Sequence, residues 1–344
     1  MNVHYEGWTG HYNLGDEICS RLCMGYIRNK LPNINISTHL YEQNCHYAIC
    51  GGGTLLCPMG TLTSDTLFLD YANKGIPYSI VGTSLDGLDE TSTKLGWTLT
   101  QKSTSDLNKI ITSSEVVGVR DRKTLSILNH LNIDDSNINI VGDISFLEYN
   151  KSDTYKPSSI KNIGINVGTS STRIYGFDEP NLQDNIVKLI NTLSDRGYSV
   201  YMLCVWPSDL DTQNKIYKRV NKKNVYSIEN VPQRLNDWKT LIDKYNINMV
   251  IGMKLHAIIC SILLNVPSIS ISYREKCHAI MELLGLNDYY VKTDDKNIYS
   301  SILTIMNKLE SENYYNKYVD NLLMYKNNLV CTMDKIVNSI KDRI

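Results

Sequence analysis

The sequence predicts an α/β protein made of two doubly wound, Rossmann-like domains facing a cleft, and three observations carry that prediction. Short apolar segments alternate with amphipathic ones through two successive halves of the chain, the pattern of parallel strands joined by covering helices. A polar, proline-containing tract without apolar period, residues 151–161 (KSDTYKPSSIK), separates the halves. The length, 344 residues, is long for one domain and natural for two. Residues 1–150 are therefore expected to form an N-terminal domain and 162–310 a C-terminal one. Residues 311–344 are expected to be a helical tail placed to pack back across the junction.

In the first half, Asn2–Tyr5 reads as a strand, and the turn-rich GWTGHYNLGDE leads into a helix over Asp16–Lys30 with Ile18, Leu22 and Ile27 among its apolar positions. Asn13, Gly15 and Asp16 thus occupy a strand-to-helix loop, where Asp16 either caps the helix or meets a ligand. Tyr47–Cys50 is the next strand, followed at once by Gly51-Gly52-Gly53-Thr54. Three residues without Cβ let a ligand approach the backbone, although a tight turn would use them equally well. The spacing matches neither a nucleoside-triphosphate loop nor a dinucleotide fingerprint. Pro77–Gly82 is a strand, and Gly82–Trp97 a polar loop suited to moving over a ligand. Glu115–Val119 ends in Arg120-Asp121-Arg122, ahead of an amphipathic Thr124–Leu131. A guanidinium at a strand's carboxyl end can grip a carboxylate or phosphate bidentately; Arg120 can equally pair with Asp121 or Asp143. Asn137–Val141, leading to Gly142-Asp143, closes this half.

In the second half, Asn162–Val167, Ser199–Val205 and Asn224–Ser227 read as strands, with helices over Leu182–Arg196, Asp209–Val220 and Gln233–Tyr245. The most informative stretch is VIGMKLHAIICSILLNVPSISISYREK, Val250 to Lys276. It reads as a strand (Asn248–Gly252), a helix apolar on all sides (Lys254–Leu264) and a strand alternating Ser with Ile (Ser268–Ser272). Such a crossover makes the two strands parallel, and ligands collect beyond the carboxyl ends of parallel strands. His256 falls in the first helical turn after one strand, and Lys276 just past the end of the next. With Lys254 they suit a small, multiply charged anion, since a helix N-terminus presents free N–H groups. A structural histidine among surface lysines is the other reading of the same spacing. Helices near Cys277–Leu284 and Tyr299–Leu309 complete the domain. Trp8, Trp97 and Trp206 follow strands, where an indole stacks on a sugar face or packs in the core.

Composition excludes other classes. With 35 basic and 36 acidic residues, the chain has no general attraction for nucleic acid. No apolar run approaches the ~20 residues needed to cross a bilayer, and MNVHYEGWTG lacks the regions of a signal peptide. A cytoplasmic location and no transmembrane segment are expected. The nine cysteines are odd in number and scattered through apolar segments, as buried thiols in a reducing compartment would be. Neither the Cys19/Cys23 pair nor Cys45 beside His46 makes a four-ligand zinc pattern, so no metal is expected.

Five patterns occur in order: HYNLGDE (11–17), GGGTLL (51–56), VGVRD (117–121), VGD (141–143) and GMKLHAIICSILLNVPSISISYREK (252–276). Together they resemble the polysaccharide pyruvyl transferase family over roughly residues 1–290, the last block most specifically. The resemblance implies a fold like that of two-domain GT-B glycosyltransferases. It implies transfer of pyruvate from phosphoenolpyruvate onto two hydroxyls of a sugar in a cell-surface polysaccharide or its precursor, giving a cyclic ketal and phosphate. Arg120 matches the arginine of the family's VRD-like motif, His256 the histidine of its Arg-Leu-His motif, and Lys276 the lysine after the Ser-Tyr pair; these three are the expected catalytic residues. Lys254 stands where that motif usually has arginine, a point charge replacing a planar fork. Lys254, Gly51, Gly52, Gly53, Asn13 and Asp16 are the expected substrate contacts. Phosphoenolpyruvate enters as donor substrate, with no separate cofactor. The acceptor sugar is free, nucleotide-linked or lipid-linked, the last placing the protein peripherally at a membrane. The alternative on the same architecture is a nucleotide-sugar glycosyltransferase.

Overall fold

A parallel sheet is covered on both faces, so its central strands must be apolar almost without interruption. Two sheets of this kind organise the chain in a computed structural model, which describes residues 1–38, 45–56, 63–85, 101–150, 160–169, 174–176 and 178–344. Most of the loop over Gly82–Trp97, Trp97 itself and residues 151–159 of the polar tract lie outside the described residues. The chain divides into two units: residues 1–11, 16–147 and 322–344 form the first, residues 12–15 and 148–321 the second.

The first unit runs β1 (Asn2–Glu6), α1 (Leu14–Lys30), β2 (Asn35–Ser37), β3 (Tyr47–Gly51), α2 (Thr63–Lys74), β4 (Tyr78–Thr83), α3 (Gln101–Thr112), β5 (Val117–Val119), α4 (Arg122–His130) and β6 (Ile138–Ile140). Its sheet has the order β2-β1-β3-β4-β5-β6, every pairing parallel. The chain reverses direction across the sheet between β1 and β3, which makes their carboxyl ends the natural ligand position. Central strands β3 and β4 are buried at every residue. β2, α2 and α3 are absent from the sequence reading. β2 has only three residues, and the apolar side chains of α3 (Leu107, Ile110, Ile111) crowd its second half, too few for a clear period.

The second unit runs β7 (Asn162–Asn166), α5 (Glu179–Asp195), β8 (Ser199–Leu203), α6 (Leu210–Tyr217), β9 (Val225–Ser227), α7 (Leu235–Lys244), β10 (Met249–Gly252), α8 (Leu255–Leu263), β11 (Ser268–Ser272), α9 (Glu275–Leu283), β12 (Tyr290–Lys292) and α10 (Ile298–Ser311). The order β12-β11-β10-β7-β8-β9, again all parallel, is the dinucleotide-fold order with its switch point between β7 and β10. Helix α8 is buried at all nine residues, as its all-round apolarity demands. Trp238 of α7 donates its indole N–H to Ser261 Oγ (3.2 Å), which itself bonds the Ala257 carbonyl (2.7 Å). All five residues of the Ser–Ile strand β11 are buried; Ser268 Oγ donates to the Val266 carbonyl (2.9 Å), and Ser270 and Ser272 bond each other (3.1 Å).

The tail is helical, α11 (Tyr314–Lys341), but it is shared rather than separate: residues up to Asn321 group with the second unit and those from Leu322 with the first. In the second unit Tyr318 donates to Asn265 Oδ1 (3.0 Å). In the first, Arg122 donates to Tyr325 Oη (3.1 Å) and Tyr26 to Asp334 Oδ1 (2.8 Å). Among the described residues, no helix is long and apolar enough to cross a membrane.

Candidate active site

The switch point of the second unit is built on a polar residue inside an apolar strand. Asn166, fully buried at the end of β7, donates its amide to the Leu203 carbonyl (3.0 Å) and accepts from the Lys254 backbone N–H (3.0 Å). It thereby ties β8 to the residue that opens α8. Lys254 is that helix's capping residue and has no side-chain acceptor to offer the first-turn amides. His256 follows in the first turn, 9% exposed. Its ring lies against Gly15: a Cβ on Gly15 would stand 1.9 Å from His256 Nδ1, so any side chain there would displace the imidazole. Gly15 is held in turn, because its N–H donates to Asn13 Oδ1 (3.1 Å) while Leu14 N donates to the Val205 carbonyl (3.0 Å).

Of the expected substrate contacts in this loop, Asn13 is also the residue whose side chain caps α1. Asp16, open between cap and ligand in the sequence, is already the third residue of the helix; its carboxylate oxygen lies 3.4 Å from the Cβ position of Gly53.

Lys276 falls just past the end of β11 as expected, in the first turn of α9, half-buried. Its Nζ stands 5.6 Å from the centroid of the Tyr273 ring, and Lys254 Nζ stands 5.4 Å from the same ring and 5.4 Å from Trp206. Two of the predicted cations therefore share one aromatic support, a cation–π arrangement on each side. Lys254 is already engaged: Nζ donates to the Thr169 carbonyl (2.6 Å) and pairs with Asp209 Oδ1 at 3.2 Å. Burial pushes the Asp209 carboxyl up to about 6, against the opposing pull of Lys254.

In the first unit, Gly51, Gly52 and Gly53 sit at the β1/β3 switch point, and the fold itself requires all three. A Cβ on Gly51 would meet the Tyr5 ring at 2.5 Å, while Gly52 and Gly53 have φ of +70° and +60°, strained for other residues. Arg120 lies at the carboxyl end of β5, but it is enclosed, at 1% exposure. Its guanidinium donates to Ser84 Oγ and stands 3.7 Å from both Asp121 Oδ2 and Asp143 Oδ2. Both structural partners that the sequence allowed are thus present. Asp121 also caps α4 through Thr124 N (2.8 Å), and Asp143 accepts from Ser145 Oγ (2.6 Å). Burial first, then Asp143, pushes the nearby Cys19 thiol well up, so it stays neutral.

Of the tryptophans, Trp206 covers Lys254, whereas Trp8 is 39% exposed and stacks on His11 with centroids 4.4 Å apart. Gly15, Asn166, Asp209 and Tyr273 are site residues that sequence reasoning missed. Glycine in a helix's first turn and asparagine within an apolar strand were available signals. Asp209 carried none, since aspartate before a helix reads as a cap.

A family model described as polysaccharide pyruvyl transferase matches residues 13–275. A search of curated proteins found no significant match. Among solved structures, the Staphylococcus aureus MnaA–UDP co-structure superposes with a TM-score of 0.61 at 11% identity, covering 100% of this chain and 96% of that one. A Methanocaldococcus jannaschii UDP-GlcNAc 2-epimerase, solved with UDP-GlcNAc and UDP, gives 0.55 at 12% identity over 94% and 80%. The Neisseria meningitidis UDP-GlcNAc 2-epimerase gives 0.55 at 12% identity over 98% and 100%. At such identities the likeness shows the fold, which is GT-B-like.

Proposed function

We propose that this chain, which belongs to the polysaccharide pyruvyl transferase family, takes phosphoenolpyruvate as donor and sets its pyruvyl group across two hydroxyls of a sugar as a cyclic ketal, releasing phosphate. The observation that carries this reading is His256 in the first turn of α8, two residues after Lys254, which shares the Tyr273 ring with Lys276. Phosphoenolpyruvate holds a carboxylate and a phosphate close together, and lysines on one aromatic support suit such a pair of anions. In the proposed route, a proton adds to the methylene carbon, and a sugar hydroxyl attacks the oxocarbenium-like centre so formed. Phosphate then leaves, and a second hydroxyl closes the ketal. His256 moves these protons as general acid and base. Lys276 offsets charge on the departing phosphate, with Lys254 beside it. Arg120 belongs to the proposed set through its motif, acting on the same donor; its enclosure between two carboxylates also gives it a structural duty.

The test is phosphate release from phosphoenolpyruvate against free, nucleotide-linked and lipid-linked sugars, followed by mass spectrometry of the product. A ketal on the acceptor together with released phosphate supports the reading. Nucleotide release from an activated sugar, with no phosphoenolpyruvate consumed, replaces it with glycosyl transfer. His256→Ala turning over at near wild-type rate removes His256 from the catalytic role.

A further inference from the structure

Asp209 is the costliest side chain at the switch point of the second unit. It is fully buried, and neither carboxylate oxygen accepts a hydrogen bond among the described residues. Its position just before α6 would explain a capping aspartate, yet it makes no capping bond. What it has is Lys254, at 3.2 Å, as an ion pair rather than a directed hydrogen bond. The room for this pair depends on Gly168, where a Cβ would stand 1.9 Å from Asp209 Oδ1 and 2.7 Å from Lys254 Cε. A buried carboxylate held by one ion pair and no directed hydrogen bond is expensive, so a position that keeps one is a candidate to use its charge or its proton.

The surroundings define which. From β8 comes the Cys204 thiol, which burial pushes up to about 12 and which is therefore neutral. From α8 come Lys254 itself and, two residues on, His256. From α9 comes Lys276, reaching the Tyr273 ring that Lys254 also approaches. While Asp209 is ionised, its pair with Lys254 is neutral and offers an incoming anion little. A dianion beside Lys254 adds negative potential at a carboxylate that burial already disfavours. Protonation relieves that repulsion and frees the ammonium charge for the ligand.

We propose that Asp209 is the positioning residue for Lys254, and that an anion entering this switch point takes over the ammonium as Asp209 takes up a proton. The proposal rests on the reading of this switch point as the donor's anion site. By linkage, anion affinity falls as pH rises past the Asp209 transition, and binding at neutral pH consumes a proton. Lys254 acts as a cation held in store rather than a standing one.

Sulfate is the probe, because it is a dianion that does not titrate near neutrality. Isothermal titration calorimetry of the full chain, in buffers of different ionisation enthalpy, reads affinity and proton uptake together. For the wild type we expect uptake approaching one proton per sulfate near neutral pH, with affinity falling up to about tenfold per pH unit above about pH 6. In Asp209→Asn, sulfate binds as tightly as in the acidic wild type, with no uptake and no pH step. In His256→Gln the uptake persists; in Lys254→Met both binding and uptake are lost. Sulfate binding without proton uptake in the wild type overturns this proposal while leaving the anion site standing. Uptake that persists in Asp209→Asn, or vanishes in His256→Gln, assigns the proton to the histidine and overturns it as well. No sulfate binding at any pH removes the anion site along with the proposal, whereas phosphate release from phosphoenolpyruvate decides the donor independently. Absence of uptake in the wild type overturns the proposal without any variant, and Asp209→Asn and His256→Gln give two independent assignments of the proton.

Discussion

The two switch points use charge in opposite ways. In the first unit one guanidinium, 1% exposed, is flanked by two carboxylates, so the trio carries net negative charge when all are ionised. In the second, two lysines share the Tyr273 ring, and Asp209 is paired with one of them, Lys254. The difference teaches that a cation at the end of a strand is not by itself an anion site. Its carboxylate neighbours decide whether its charge is spent on the fold or kept for a ligand. On that comparison the proposed anion site draws on the cations of the second unit, whereas Arg120 is tied to the β5–α4 corner through Asp121.

The sharpest way to probe the second unit leaves its charges untouched. Gly15→Ala drives a methyl into the His256 ring, and a misplaced general acid is expected to lower kcat for phosphate release by about a hundredfold. Unchanged kcat would mean that the ring's position is not used. In free energy the larger effect is in the first unit. Arg120→Met strands two buried carboxylates and is expected to cost about 3–5 kcal/mol in urea unfolding. Were stability unmoved and phosphate release abolished, Arg120 would be a ligand clamp and the contrast would break.

A smaller effect separates the two kinds of buried carboxylate. The Asp209 carboxyl sits at about 6 in the folded chain, above its ordinary value of 3.8. Its raised folded value means that its contribution to stability is full below about pH 4 and is lost as pH climbs through about 6. Relative to Asp209→Asn, the wild type should lose about 3 kcal/mol of unfolding free energy over that window, by denaturant titration at several pH values. A flat difference would mean that Lys254 compensates the carboxylate completely. The smallest effect concerns the cap: Asn13→Ala should cost about 1 kcal/mol, and Asp16→Ala clearly less, by thermal unfolding.

Legibility in the sequence followed the strength of local pattern. The β10–α8–β11 block was readable because an all-apolar helix between two short apolar strands fits little else. β2 and β12, three residues each, are too short to show a period and exist because neighbouring strands offer them hydrogen bonds. Asp16 was open as a cap because an aspartate near a helix start can serve, and only the backbone shows that Asn13 comes first. Lys276 was placed correctly just past β11, but the helix that carries it begins at Glu275 rather than near Cys277, a boundary that local pattern fixes poorly.

The amino-acid pattern alone therefore determined the class of fold, the succession of most strands and helices, and the neighbourhood of His256 at the head of α8. These depend on apolar period and on turn residues, which act over a few positions. Tertiary structure decided the rest: that Gly15 makes room for His256, that Tyr273 gathers Lys254 and Lys276, and that Asp209 and Arg120 are held in opposite states of charge balance. Several of those outcomes join residues far apart in sequence, such as Gly15 with His256 and Asp209 with Lys254. Electrostatic balance and close packing depend on distance in space, which the order of residues does not record.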